Sequence, residues 1–76
     1  MTTDSLPRYV KEQRRALGLT QVNLADQAGV GLRFVREIEQ GKRTLRMDRV
    51  NQVLALFGSK LGPVPMTAED RGGPSR

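Results

Sequence analysis

The stretch that most constrains this chain is residues 20–41, TQVNLADQAGVGLRFVREIEQG, in which a glycine separates two short apolar patterns. Thr20 can cap a first helix, because its hydroxyl accepts one of the N–H groups that the first turn leaves unpaired. Three apolar residues then recur at helical spacing: Leu24, Ala25 and Ala28. Gly29 follows where the chain must turn, since glycine adopts the left-handed conformation without a steric penalty. The stretch therefore predicts a helix that ends in a tight turn.

A second helix is expected from about Gly31 to Gln40, with Val30 pointing inward from the turn and Gly41 ending the helix. Val35 and Ile38 form its buried face. Four residues share the opposite face: Leu32, Arg33, Arg36 and Glu37. In a helix-turn-helix the second helix enters the DNA major groove with its N-terminal residues against base edges. There arginine can pair with guanine, glutamate can accept a hydrogen bond from cytosine, and an apolar side chain can touch a thymine methyl.

The pattern LGLTQ..LA..AGV......E.E.GKR, read over residues 17–43, resembles the Cro-type (XRE) helix-turn-helix family of phage repressors and bacterial regulators. The resemblance covers residues 5–58. Within that family, the run GVGLRFVREIEQGK and the short length look like the HipB-like antitoxins. The resemblance implies an all-α, phage-repressor-like domain of four to five helices, with or without a short C-terminal extended segment or strand.

The same resemblance divides the DNA contacts between bases and backbone. Base contacts are expected first from Arg33 and Arg36, then from Leu32 and Glu37, with Gly31 allowing close approach of the backbone. For Glu37 three roles stay open: it repels phosphate, orients Arg33 or reads cytosine. Contacts with the DNA backbone are expected at six positions: Thr20, Gln21, Phe34, Lys42, Arg43 and Arg46. For the three basic residues among them, the alternative is an ordinary solvated charge. Arg49 is expected to be ordinary surface.

The first helix is expected to start near Ser5, with Pro7 in its first turn, and to run to about Leu17. Val10, Arg14 and Leu17 share its inner face. Arg14 needs a partner there, because a buried charge must be paired. Glu39, the acidic residue beside Ile38, is the natural partner, and members of the resembled family commonly make such a pair. We expect a structural ion pair.

A fourth helix is predicted over residues 47–57, with Gly58 as its stop. Its apolar stripe consists of Met47, Val50, Val53, Leu54 and Phe57. Residues 59–66 should be extended, because Pro63 and Pro65 exclude a helix. In HipB-like proteins the matching segment forms a strand that pairs across a two-fold axis, but prolines lack the ladder donor, so apolar packing without regular pairing is the alternative. Three apolar residues of this segment are candidate dimer contacts: Leu61, Val64 and Met66.

Composition narrows the class of protein. The chain of 76 residues has room for one small domain over residues 5–58, and residues 67–76 are expected to form a disordered tail. It contains no cysteine and no histidine, so we expect no enzyme activity, metal or cofactor. No apolar run is long enough for a membrane span. We expect the protein in the reducing cytoplasm of a bacterium, and on the nucleoid when it is bound to DNA. The net charge of +5 fits a nucleic-acid partner but equally fits ordinary solubility.

These features lead to one main interpretation and three rivals. We expect a homodimer on a palindromic double-stranded DNA operator, which represses its own operon and serves as a HipB-like antitoxin for a HipA-type kinase toxin. One rival is a solitary or phage-type repressor without a toxin. Another is an antitoxin that acts chiefly by protein–protein neutralisation. The third is a helix-turn-helix used only for protein contacts, which would show no salt-sensitive DNA binding.

Overall fold

The computed structural model describes residues 5–66, so the disordered tail expected at 67–76 lies outside the described residues. Four helices follow one another: α1 (Ser5–Ala16), α2 (Gln21–Ala28), α3 (Leu32–Gln40) and α4 (Met47–Ala55). Helix α3 packs on α1 and α2, and α4 packs on α2. The expected all-α fold is confirmed, and within residues 5–66 no strand forms.

Helix α1 reaches the core through Val10, which is fully buried, and Tyr9 packs beside it. The prediction that Leu17 belongs to this inner face is wrong, because Leu17 is 56% exposed. The helix ends at Ala16, and Gly18 then takes a left-handed conformation (φ 70°) that redirects the chain. Leu19, which follows this turn, packs against the core in place of Leu17.

A reciprocal cap starts α2. The amide of Asn23 donates to the Thr20 hydroxyl (3.0 Å), and the Thr20 amide donates to Asn23 Oδ1 (3.3 Å). The helix ends as expected at Gly29 (φ 73°), and Val30 then points inward, with its amide bonded to the carbonyl of Ala25 (3.0 Å). These local bonds hold the turn that sets the start of α3.

Helix α3 forms the centre of the domain. Gly31 caps its start in an extended conformation, and Gly41 ends it with a φ of 85°. Val35 and Ile38 are fully buried, as expected. They belong to the set of the largest fully buried side chains, which come from all four helices: Leu24, Ile38, Val10, Val35 and Val53. The buried side of α3 is therefore fixed by packing, which leaves its other side for contacts outside the domain.

Helix α4 is shorter than the predicted range 47–57, because α4 ends at Ala55 and a turn leads to Gly58 (φ 71°). The placement of Met47 in the apolar stripe is wrong, since Met47 is 68% exposed. It is the first residue of the helix, and Leu45, just before the helix, packs against the core instead. Phe57 lies beyond the helix and still packs on the core, edge-on to Tyr9 at a ring-centroid distance of 6.2 Å.

Residues 59–66 form neither helix nor strand, and they lie beside residues of α1 and α4. Two polar contacts hold the start of this segment: the hydroxyls of Tyr9 and Ser59 are 2.6 Å apart, and the Leu61 amide donates to Asn51 Oδ1 (2.8 Å). Leu61 packs against the core, whereas Val64 is 78% exposed. Among residues 5–66, no helix has the length and apolar character needed to cross a membrane.

Candidate nucleic-acid interface

The outer face of α3 presents two arginines. Arg33 has 91% of its side chain exposed, and Arg36, three residues later, is also exposed. Leu32 and Phe34 differ from them, because both are half-buried and pack against the core. Of these four neighbouring side chains, the two arginines are therefore the ones that lie most fully in solvent.

Glu37 lies between two cations. Its Oε2 is 3.4 Å from Arg33 Nε, one helical turn earlier, and 3.2 Å from Lys42 Nζ, beyond the end of α3. Only 22% of the Glu37 side chain is exposed. Of the three roles left open for Glu37, orienting Arg33 is therefore the one whose geometry is already present in the free protein.

An open crevice of about 510 Å³ separates the start of α3 from the α3–α4 connection. Four of its lining residues are basic and one is acidic: Arg33, Lys42, Arg46, Arg49 and Glu37. The sequence interpretation treated Arg49 as ordinary surface, but Arg49 is half-buried and lines this crevice. The sequence did contain a signal for this position. Arg46 and Arg49 are three residues apart at the start of a helix, and this spacing brings side chains to the same side. The crevice has a positive balance that suits a phosphate.

The other cations of α3 and of the α3–α4 connection have different surroundings. Both oxygens of Asp48 accept hydrogen bonds from Arg46, at 3.2 Å from Nε and 2.7 Å from Nη2. The Arg46 guanidinium holds the pKa of the exposed Asp48 carboxyl below its ordinary value. Arg36 and Arg43 have no carboxylate within ion-pair distance in the described part of the chain. Among the cations of α3 and of the α3–α4 connection, these two are the ones that pair with no carboxylate of residues 5–66.

The structure brings Arg14 and Glu39 together beneath the start of α2. Arg14 donates to both oxygens of Glu39, at 2.7 Å from Nε and 3.1 Å from Nη2, and also to the carbonyl of Leu19 (2.9 Å). Gln21 Nε2 donates to the same carboxylate (3.1 Å), a bond that the sequence did not indicate. An amide nitrogen carries two hydrogens, so this bond uses one of the two side-chain N–H donors of Gln21.

Burial raises the pKa of the Glu39 carboxyl, but the hydrogen bonds from Arg14 and Gln21 lower it by more. The charges of Arg14 and Lys11 add to that lowering, and the pKa of Glu39 lies below its ordinary value. Glu39 is only 8% exposed, so this charge is compensated almost entirely by protein groups. Together these contacts tie α1 to the C-terminal half of α3 and hold Gln21 at the start of α2.

Comparison with known proteins agrees with this geometry. Residues 10–64 match the model of a family described as helix-turn-helix. A protein of Sinorhizobium fredii (strain NBRC 101917 / NGR234), named as an uncharacterised HTH-type transcriptional regulator, is 42% identical over 60 residues, which cover 79% of each chain. The matched region includes all of α2, the turn and α3.

Proposed function

Because the chain belongs to the XRE-type helix-turn-helix family and is a DNA-binding regulator of transcription, we propose that it binds one operator sequence as a homodimer and represses its own operon. The observation that supports sequence-specific binding is the exposed pair Arg33 and Arg36 on a helix whose other face is buried. Each arginine can form a bidentate pair with guanine in the major groove. Lys42, Arg43 and Arg46 follow α3 and would contact the DNA backbone.

The proposed homodimer rests on the segment 59–66 and on the size of the domain. Val64 and Met66 are 78% and 57% exposed, and Val64 lines an open groove with Leu6 and Tyr9 of α1. One recognition helix reads only a few base pairs, whereas a two-fold pair reads two half-sites about one helical turn apart. Association of two copies would cover these apolar side chains and add the second recognition helix.

The antitoxin role is a second proposed function, with a HipA-type kinase toxin as the partner. Exposed apolar side chains outside α3, such as Leu17 (56% exposed) and Val22 (57% exposed), would be available to such a partner. Binding of a partner protein would cover such side chains, which are not required for contacts with DNA. A toxin gene beside this one would favour this role, and a solitary gene would favour a plain repressor.

The experiment that tests the main proposal is fluorescence anisotropy with DNA from upstream of the gene and with scrambled DNA, across a salt series. We expect tight binding to the upstream DNA only, with an affinity that falls steeply as salt rises, because phosphate contacts release counterions. Footprinting would then show two half-sites about one helical turn apart. Equal, weak binding to both DNAs would contradict sequence-specific regulation.

A further inference from the structure

We propose that Glu37 is a specificity-determining residue that acts by positioning Arg33, and that it lowers binding to random DNA while supporting binding to the operator. This inference rests on the proposed function of the same surface. It starts from the placement of the only carboxylate among the residues that line the crevice beside α3. That carboxylate contacts two of the four cations that line the crevice, Arg33 and Lys42.

The atom of Arg33 that approaches Glu37 decides what the rest of the guanidinium can do. The contact is made by Nε, at 3.4 Å from Glu37 Oε2. A guanidinium has five N–H donors, so a contact at Nε leaves terminal N–H donors for a second acceptor. Guanine presents two acceptors, O6 and N7, in the major groove, and two parallel donors match them. Glu37 therefore favours an orientation of Arg33 in which its terminal N–H groups can meet a base edge.

The same carboxylate opposes contacts that carry no sequence information. A DNA phosphate that enters the crevice must compete with Glu37 for Lys42 and Arg33, and it meets the negative charge of Glu37 itself. On the operator, the base contact of Arg33 is compatible with the Glu37 contact. On random DNA only the phosphate contacts remain, so Glu37 weakens that binding more. The difference between the two affinities is what sets specificity.

The test is Glu37→Gln, which keeps the shape of the side chain and removes its charge. We expect binding to random DNA to become tighter with a salt slope steeper by about one ion, while binding to the operator weakens. The preference for the operator should fall about 3- to 10-fold, the scale of an exposed ion pair plus one phosphate contact. Glu12→Gln is the matched control: it makes the same change of charge at an exposed position of α1 and should leave the preference unchanged.

A double-mutant cycle then assigns the effect to Arg33. Combining Glu37→Gln with Arg33→Ala should show coupling on the operator, because Glu37→Gln should no longer weaken operator binding once Arg33 is absent. On random DNA part of the tightening should remain, because Glu37 also pairs with Lys42. If Glu37→Gln shifts both affinities by the same factor, as Glu12→Gln does, Glu37 contributes only net charge and the inference is overturned. A parent protein without any operator preference would instead overturn the proposed function, so the two failures are distinguishable. In the free protein, the Arg33 Nε–H resonance should change in Glu37→Gln and not in Glu12→Gln, and an unchanged resonance would also count against the inference.

Discussion

Arg33 and Arg14 show how much the surroundings of one residue type determine its role. Arg14 has 12% of its side chain exposed and donates to both oxygens of a buried carboxylate. The Arg33 side chain is 91% exposed, and its Nε lies 3.4 Å from a carboxylate oxygen of Glu37. The first arginine belongs to the fold, and the second is available to a ligand. We therefore expect loss of the Arg33 side chain to change DNA binding, and loss of the Arg14–Glu39 ion pair to change the stability of the fold.

Replacing Arg33 with alanine should relax specificity at one base pair of the operator. We expect a loss of about 1–3 kcal/mol in binding free energy on the operator, because a bidentate contact to guanine is lost. Competition binding with operators changed at single positions would measure it. Arg15→Ala, which removes an exposed charge of α1, is the control and should weaken binding to all sequences only slightly. An equal loss on operator and random DNA would show that Arg33 contacts phosphate alone.

Replacing Glu39 with glutamine should lower the free energy of unfolding by about 3 kcal/mol at pH 7, because Arg14 then loses its charged partner. The folded-state pKa of Glu39 is lowered, so its stabilisation is present above the unfolded value of about 4.3 and is lost as pH falls through the folded value. The difference between the parent and Glu39→Gln should therefore shrink as the pH falls below about 4.3. Urea denaturation at several pH values would measure it, and a difference that stays constant would contradict this linkage.

At the scale of the element, the turn between α2 and α3 contains two glycines with different conformations. Gly29 has a φ of 73°, whereas Gly31 has a φ of −75°, and a Cβ added at Gly31 would meet nothing within 4 Å. Gly29→Ala should lower the free energy of unfolding by about 1–2 kcal/mol, because the left-handed conformation is strained for alanine. Gly31→Ala is the matched control and should change it by less than about 0.5 kcal/mol. Thermal denaturation of both variants would measure the difference, and equal losses would contradict it.

Gly31→Ala also tests the approach of the backbone to DNA. If the start of α3 comes close to the groove, the added methyl group should weaken binding to the operator while the domain stays as stable as the parent. Anisotropy with the folded variant would measure this. Unchanged affinity would show that Gly31 serves only the geometry of the turn.

The helices were predictable because their signals are local. Caps, glycines with left-handed backbones and apolar spacing involve residues a few positions apart, and they located α2, the turn and α3 correctly. The errors lie at helix ends. Whether Leu17 or Met47 reaches the core depends on how one helix crosses another, which a single-helix pattern does not contain. The hydrogen bond from Gln21 to Glu39 likewise joins residues 18 positions apart, and it depends on tertiary packing.

At the scale of the whole molecule, the proposed homodimer predicts the effect of a charge in segment 59–66. Val64 is 78% exposed, so Val64→Asp should leave the folded monomer stable. We expect this variant to sediment as a monomer and to bind the operator more weakly, since only one recognition helix engages at a time. Analytical ultracentrifugation and anisotropy would measure both effects. Leu17→Asp introduces the same charge at the end of α1 and should remain dimeric; if Val64→Asp is dimeric too, the dimer surface lies elsewhere.

The two faces of α3 have a consequence for how such a regulator diverges. Within nine residues, Val35, Ile38 and Glu39 are buried while Arg33 and Arg36 face solvent. Exchanging an exposed residue changes folding free energy very little, whereas exchanging a buried one changes it greatly. Under the proposed function, one copy could therefore acquire a new target after gene duplication by substitution at the outer positions while it keeps an intact core. The DNA sequence that is recognised could then change quickly, while the buried positions of the same helix change slowly.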